Sequence, residues 1–168
     1  GISLNIFNNH SHRVKMANLA QTINVLQAVI LTDKEKMIKT PTYHVLKMYN
    51  VHHDAQLIPI DFESPKYSFG GNELEAISIS ASKDANNTTH VSLVNIDAHQ
   101  SYQISIPLAS INQKKFKGTI LTSKNLQDHN DFDDPEKINV KAFSDFKVKG
   151  GVLTVDIPPY AVVMMEGE

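Results

Sequence analysis

The sequence predicts a mainly β protein whose larger, C-terminal part, residues 55–168, folds as an antiparallel β-sandwich. Two observations carry that reading. From residue 55 onward apolar residues recur at period two in short runs, separated by Asn, Asp and Gly. Gly150-Gly151 then stands between two such runs, the pattern of a two-residue hairpin turn. Residues 1–54 show no such period, so the boundary falls after His52-His53-Asp54.

Within residues 1–54, Ile2, Ile6 and Phe7 suit one face of a short helix ending near Asn8-Asn9. Residues 28–32 and 36–40 flank Asp33-Lys34-Glu35 and read as a small hairpin. Pro41 suits the first turn of a helix that Thr40 can cap, with Tyr43, Leu46, Met48 and Tyr49 as packing residues and an end near Val51.

In the second part Leu57, Ile58 and Ile60 open the alternation. Ile77, Ile79 and Ala81 alternate with Ser78, Ser80 and Ser82, which predicts one buried and one solvated face. Val91 and Leu93 are out of phase with Val94 and Ile96, so that strand carries a bulge or is covered on both sides. Tyr102, Ile104, Ile106 and Leu108 alternate most cleanly. Residues 116–122, 146–149, 152–157 and 160–165 complete the strands, while residues 64–72 and 124–141 read as loops.

Composition excludes several functions. Lys and Arg number 16 against 18 Asp and Glu, with Arg13 the single arginine, which argues against a nucleic-acid or anionic-membrane surface. With no cysteine there is no thiolate chemistry and no disulfide framework. No run approaches a membrane span, and Gly1-Ile2-Ser3-Leu4 lacks the features of a signal peptide; the compartment stays open.

Three clusters invite a metal and none has the pattern of one. His10/His12 and His52/His53 lack a third ligand and helical spacing. In the acidic run from Asp128 to Asp134 an EF-hand register puts Phe132 at the fifth position and Asp133 where Gly is needed. Asn86-Asn87-Thr88-Thr89 contains overlapping glycosylation sequons, relevant only to a secreted eukaryotic protein. No carboxylate sits in an apolar setting that would raise its pKa.

One stretch is different. In Met16-Ala17-Asn18-Leu19-Ala20-Gln21-Thr22-Ile23-Asn24-Val25-Leu26-Gln27 an apolar run is interrupted every third residue by an amide. Amides do not titrate, but each offers donor and acceptor together, which suits the hydroxyls of a neutral polyol; equally, they can satisfy neighbouring backbone groups.

Asn5-Ile6-Phe7-Asn8-Asn9-His10, Arg13-Val14-Lys15-Met16-Ala17-Asn18-Leu19-Ala20-Gln21 and Thr40-Pro41-Thr42-Tyr43-His44-Val45 together resemble the α-L-arabinofuranosidases of glycoside hydrolase family 51. The three motifs stand in that family's order and spacing. The likeness is dense over residues 1–55 and thinner after, where Asn130, Phe132, Asp134-Pro135 and the closing Ile157-Pro158-Pro159-Tyr160-Ala161-Val162-Val163 still resemble the family's C-terminal domain. The resemblance implies a β-sandwich (55–168) preceded by the last, incomplete segment of a (β/α)8 barrel (1–54), with residues 14–20 as the eighth barrel strand. A helix over 11–31 competes for that stretch. Where the family often has Gly, Lys34 leaves the turn geometry in question.

The implied activity is retaining hydrolysis of terminal, non-reducing α-L-arabinofuranosyl residues in arabinose-containing oligo- or polysaccharides, by two glutamates that lie upstream of these motifs. On that reading the chain holds no catalytic residue, no metal and no cofactor. Gln21 is its one substrate-binding residue, the sandwich is mainly structural, and the parent enzyme is a homo-oligomer. Ile2, Phe7, Leu19, Ile23 and Leu26, deprived of barrel neighbours, should pack on the sandwich or on a second copy. A stand-alone carbohydrate-binding or interaction sandwich without catalysis is the alternative, weakened by the absence of Trp to stack on sugars.

Overall fold

The computed structural model describes all residues except Ser110 and Asn112. Helix α1 (Ile2–Asn9) is followed by strands β1 (Ile30–Asp33) and β2 (Lys36–Lys39), then helix α2 (Pro41–Tyr49) and a 3-10 turn at Asn50–His52. The remaining strands are β3 (Gln56–Ile58), β4 (Lys66–Phe69), β5 (Asn72–Glu75), β6 (Ile77–Lys83), β7 (Thr89–Asn95) and β8 (Tyr102–Pro107). After them come β9 (Phe116–Leu121), β10 (Lys141–Phe143), β11 (Phe146–Lys149), β12 (Val152–Ile157) and β13 (Ala161–Gly167).

A six-stranded antiparallel sheet in the order β10-β9-β13-β7-β6-β3 faces a three-stranded one, β11-β12-β8. Period-two alternation fills the space between them. Ile104, Leu153, Val155 and Ile157 from the smaller sheet meet Ile79, Val91, Leu93, Ile120, Val163 and Met165 from the larger. The alternate residues of β13 and β9, Met164 and Leu121, point the other way and join Met48, Tyr49 and Ile138 in a second apolar cluster. The protein therefore has three layers: small sheet, large sheet, and the helices on the large sheet's outer face.

This third layer explains where the expected alternation fails. Ser80 and Ser82 are buried instead of solvated, and all seven residues of β7 are buried. The phase conflict in β7 thus reflects a strand covered on both faces. Ser78 and Ser82 face α1 and the 3-10 turn, where the Asn5 and His52 side chains bond them in place of water, while the buried Ser80 hydroxyl has no partner among the described residues.

The short helix at the start forms as expected, and the hairpin β1–β2 turns through Lys34 at φ +53, so the strained geometry is real and a lysine bears it. Thr40 occupies the N-cap position of α2, yet its hydroxyl makes no cap bond. It donates instead to the Ala28 carbonyl (2.7 Å).

Three expectations need correction. Residues 14–20 form no strand, and residues 11–31 form no long helix. A barrel strand is held by parallel neighbours on both sides, whereas every ladder between named strands in this chain is antiparallel. Residues 64–72, read as a loop, contain most of the hairpin β4–β5, whose Gly70-Gly71 turn has positive φ at both positions (+58, +80). Its strands escape a periodicity reading because β5 is exposed along its length. Finally, of the two surfaces expected to cover the apolar residues of the first part, sandwich or second copy, the sandwich leaves Leu19 (43 % exposed), Ile23 (52 %), Leu26 (82 %) and Phe7 (38 %) open, whereas Ile2 is half-buried on α1, which lies against β6.

Gly150 and Gly151 stand at φ +60 and +76 in the turn of β11–β12, with open space around both. Replacing both with Val therefore tests backbone conformation alone. The expected loss is about 2–4 kcal/mol, from roughly 1–2 kcal/mol per left-handed residue, read as a lower thermal midpoint. The same change at Gly70-Gly71 should barely move the midpoint, because that exposed hairpin can fray without opening the core. Equal shifts at the two sites would contradict this account.

Candidate functional site

Gln21 sits at the end of the irregular stretch 14–22 and is exposed. Its backbone is held more firmly than that exposure suggests. The Gln21 carbonyl accepts from the Val29 N–H (3.2 Å), the Thr22 carbonyl from the Ile30 N–H (3.0 Å), and the Asn24 N–H donates to the Ile30 carbonyl (3.2 Å). Ile23 and Ile30 form one isolated parallel bridge.

The four periodic amides turn out to have different duties. Asn24 is in the left-handed region (φ +52); its Nδ2 donates to Thr32 Oγ1 and its Oδ1 accepts from the Thr32 N–H, both at 2.8 Å. Gln27 is also left-handed (φ +58). Among the described residues, the exposed side chains of Asn18, Gln21 and Gln27 make no hydrogen bond within the chain.

Behind this loop the body of the protein is tied together by buried polar groups. Asn5 is fully buried. Its Nδ2 donates to Ser78 Oγ (3.1 Å), while its Oδ1 accepts from the hydroxyls of Tyr49 (2.8 Å) and Ser92 (2.7 Å). His52 completes the set, with Nδ1 2.7 Å from Ser82 Oγ and Nε2 3.1 Å from Ser92 Oγ. With the Ser92 hydroxyl donating to the Asn5 or Ser80 carbonyl oxygen, a neutral His52 that donates through Nε2–H and accepts from Ser82 at Nδ1 satisfies all three groups. Burial, reinforced by the nearby His90 and His53, pushes its pKa down to about 4. Burial likewise raises the Tyr49 phenol above its usual value. The sequence reading missed this network; its one visible trace is the Asn in an otherwise apolar helix face.

A row of side chains crosses the outer face in register: Lys117, Glu166, His90 and Ser82 on β9, β13, β7 and β6. Lys117 and Glu166 border a groove of about 670 Å³ between the large sheet, α2, β2 and residues 135–140. Met48 and Met164 also line it, with Tyr43, Lys47 and Glu136 on its walls. Gln21 does not line this groove.

The clustered histidines and acids have structural explanations. The ring of His10 bonds the Ile6 carbonyl (2.9 Å) at the end of α1. Asp128, bonded by Ser123 and then by Lys137, is held down at about 2. Asp131 accepts from the Asp134 and Asp133 amides, and its pKa is lowered. Asn130 is buried; it bonds the Lys39 and Ile138 carbonyls (2.9 Å each) and accepts from the Ile138 amide (2.7 Å), fastening residues 124–141 to β2. Among the described residues no group of three or more His, Asp or Glu is placed to hold a metal. Every carboxyl with a resolved shift is shifted downward, the direction opposite to what a general acid requires. No helix of the described residues is long and apolar enough to cross a membrane.

With this geometry in place, comparison with known proteins is informative. The profile of the α-L-arabinofuranosidase C-terminal domain matches residues 1–161. An intracellular exo-α-L-arabinofuranosidase of Bacteroides ovatus is 40 % identical over 166 residues, covering 98 % of this chain and 32 % of the relative. The crystal structure of a family 51 arabinofuranosidase from Xanthomonas axonopodis pv. citri superposes with a TM-score of 0.94 at 35 % identity, over 98 % of this chain and 33 % of that one. At 20 % identity, where likeness shows the fold alone, an arabinose complex of the Thermotoga maritima α-L-arabinofuranosidase gives 0.78 over 94 % of this chain and 34 % of that one. The chain thus spans about a third of the length of these relatives.

The neutral, buried His52 has a measurable consequence. Its folded pKa of about 4 lies below the ordinary 6.5, so between those values the unfolded chain binds the extra proton. The stabilisation is complete above pH 6.5 and is lost as pH falls from there through 4, by up to roughly 3 kcal/mol. His44, lowered by burial and by Lys39 and Lys47, acts in the same direction. The lowered carboxyls add their loss only below about pH 4. Melting temperature followed from pH 7 to 4 should fall, and in His52→Gln should fall less steeply from a lower start. An unchanged slope would remove His52 from the account.

Proposed function

The chain belongs to the family of α-L-arabinofuranosidase C-terminal domains, and on that premise we propose that it is the C-terminal part of a retaining glycosidase. The observation that supports this most is a match along 98 % of the chain to a third of a complete exo-acting relative. The proposed reaction removes terminal, non-reducing α-L-arabinofuranosyl residues from arabinose-containing polysaccharides. One glutamate protonates the leaving oxygen and another forms the glycosyl–enzyme bond, the two about 5 Å apart. Both lie outside this chain.

Residues 1–54 are then the last segment of the catalytic barrel and residues 55–168 the sandwich. The exposed apolar side chains of Leu19, Ile23 and Leu26 fit this division, since they stand on the stretch that barrel neighbours would cover. The sandwich is a brace: its outer face is occupied by α1 and α2, which carry the Gln21 loop between them. The whole enzyme is further proposed to be a homo-oligomer.

Gln21 contacts the sugar. A neutral amide can hold a furanose hydroxyl as donor and acceptor without disturbing two nearby carboxyls. A charge there would shift both pKa values and upset the acid and nucleophile roles.

Two measurements test the proposal. The isolated chain should show no turnover of an aryl α-L-arabinofuranoside above a buffer blank, and turnover that co-purifies with it would overturn the division. In the full-length enzyme Gln21→Ala should lose roughly 1–3 kcal/mol of transition-state stabilisation in kcat/KM, with the melting temperature unchanged. Unchanged activity, or a protein that simply unfolds, would make Gln21 a structural residue.

A further inference from the structure

The loop that presents Gln21 has almost no apolar hold on the protein. Ile23, Val25 and Leu26 are 52 %, 49 % and 82 % exposed, and only Ala28 at its far end is buried. A loop ordered by burial would show the reverse. What closes it is polar: Asn24 grips Thr32, eight residues on, by donor and acceptor at once, both at 2.8 Å. That closure stands beside the three backbone bonds that hold residues 21–24 against Val29 and Ile30, one of them at the Gln21 carbonyl. The far strand is anchored in turn, because Thr32 lies in β1, which pairs with β2.

Asn suits this position for two reasons. It tolerates φ +52 better than most side chains, since its short polar group can bond locally. It also carries donor and acceptor on one planar group, so a single residue can serve both the Thr32 amide and the Thr32 hydroxyl. Aspartate could keep the second bond only with the Thr32 hydroxyl turned round to donate.

We propose that Asn24, through its two-bond clamp on Thr32, is a positioning residue for Gln21 in arabinofuranoside hydrolysis. The inference rests on the reading of Gln21 as the sugar-contacting residue. Asn24 need not touch the substrate; it sets where the Gln21 amide stands, and a displacement of about 1 Å at a contacting group can cost up to 100-fold in rate.

The test is a double-mutant cycle in the full-length enzyme with an aryl α-L-arabinofuranoside. Asn24→Gly keeps the left-handed backbone and removes the clamp; Thr32→Val removes only the hydroxyl partner and preserves shape, in case the glycine variant folds poorly. Either should lower kcat/KM, Asn24→Gly on the order of 10- to 100-fold, without a matching fall in melting temperature. Asn24→Asp, which still accepts from the Thr32 amide, should recover part of the loss. In a Gln21→Ala background, Asn24→Gly should cost little more, because the group it positions is gone. On the chain itself, amide exchange at Thr32 should speed up in Asn24→Gly. If Gln21→Ala lowers activity while Asn24→Gly and Thr32→Val do not, the clamp proposal falls and the Gln21 reading stands. Equal losses from Asn24→Gly in both backgrounds overturn it as well. Should Gln21→Ala leave activity intact, the Gln21 reading fails and the clamp's role fails with it.

Discussion

The buried carboxamide of Asn5 is the constraint on which the arrangement of layers depends. It receives the hydroxyls of Tyr49 from the end of α2 and Ser92 from β7, and donates to Ser78 on β6. One group therefore joins both helices to the centre of the large sheet. Unpaired, each of these buried polar atoms would cost about 1–3 kcal/mol, so the set is stable only when complete. That all-or-none character fixes α1 and α2 in one place on the sheet, where apolar contact alone would permit sliding. Met48 and Tyr49 over Met164 and Leu121 add the non-directional part of the hold.

Because the sheet is covered on both sides, its sequence cannot display a half-buried pattern. The Ser78-Ser80-Ser82 alternation looks like a solvated face in one dimension, and only the distant Asn5 and His52 reveal it as an interior one. The strands of the small sheet, with one open face, were legible from alternation, as was the β11–β12 turn from its two glycines. The β4–β5 hairpin was not, though Gly70-Gly71 is the same signal, because Tyr67 is the one residue of its strands packed against the core. Strand 14–20 failed for another reason: a parallel strand depends on partners that no local pattern in this chain can supply.

The amide stretch shows where legibility of the candidate site ends. Its period of three was visible, and so was the choice between binding polyols and satisfying backbone. Spacing could not say that the amides differ within one run. Asn24 serves the backbone of β1, whereas Gln21, three residues before it, keeps its amide free among the described residues. The deciding feature is chain reversal: Asn24 comes opposite Thr32 only after residues 25–31 have turned back, and that turn relies on left-handed backbone at Gln27, which carries no glycine to announce it.

These two polar assemblies divide the labour differently. The Asn5 network is dry, and its strength comes from the low-dielectric space between helix and sheet, where an unmade bond has no water to fall back on. The Asn24 clamp lies in the open, where water competes and each bond contributes little to global stability. A clamp of that kind cannot hold the fold together, but it can narrow the conformations of a loop that has already been brought near its place. The buried network seats α1 and α2 on the sandwich, Thr40 at the start of α2 bonds the chain just before β1, and Asn24 holds the stretch that bears Gln21. The sandwich thus reaches the candidate sugar contact through a chain of progressively weaker and more exposed bonds, stiff at its base and adjustable at its tip.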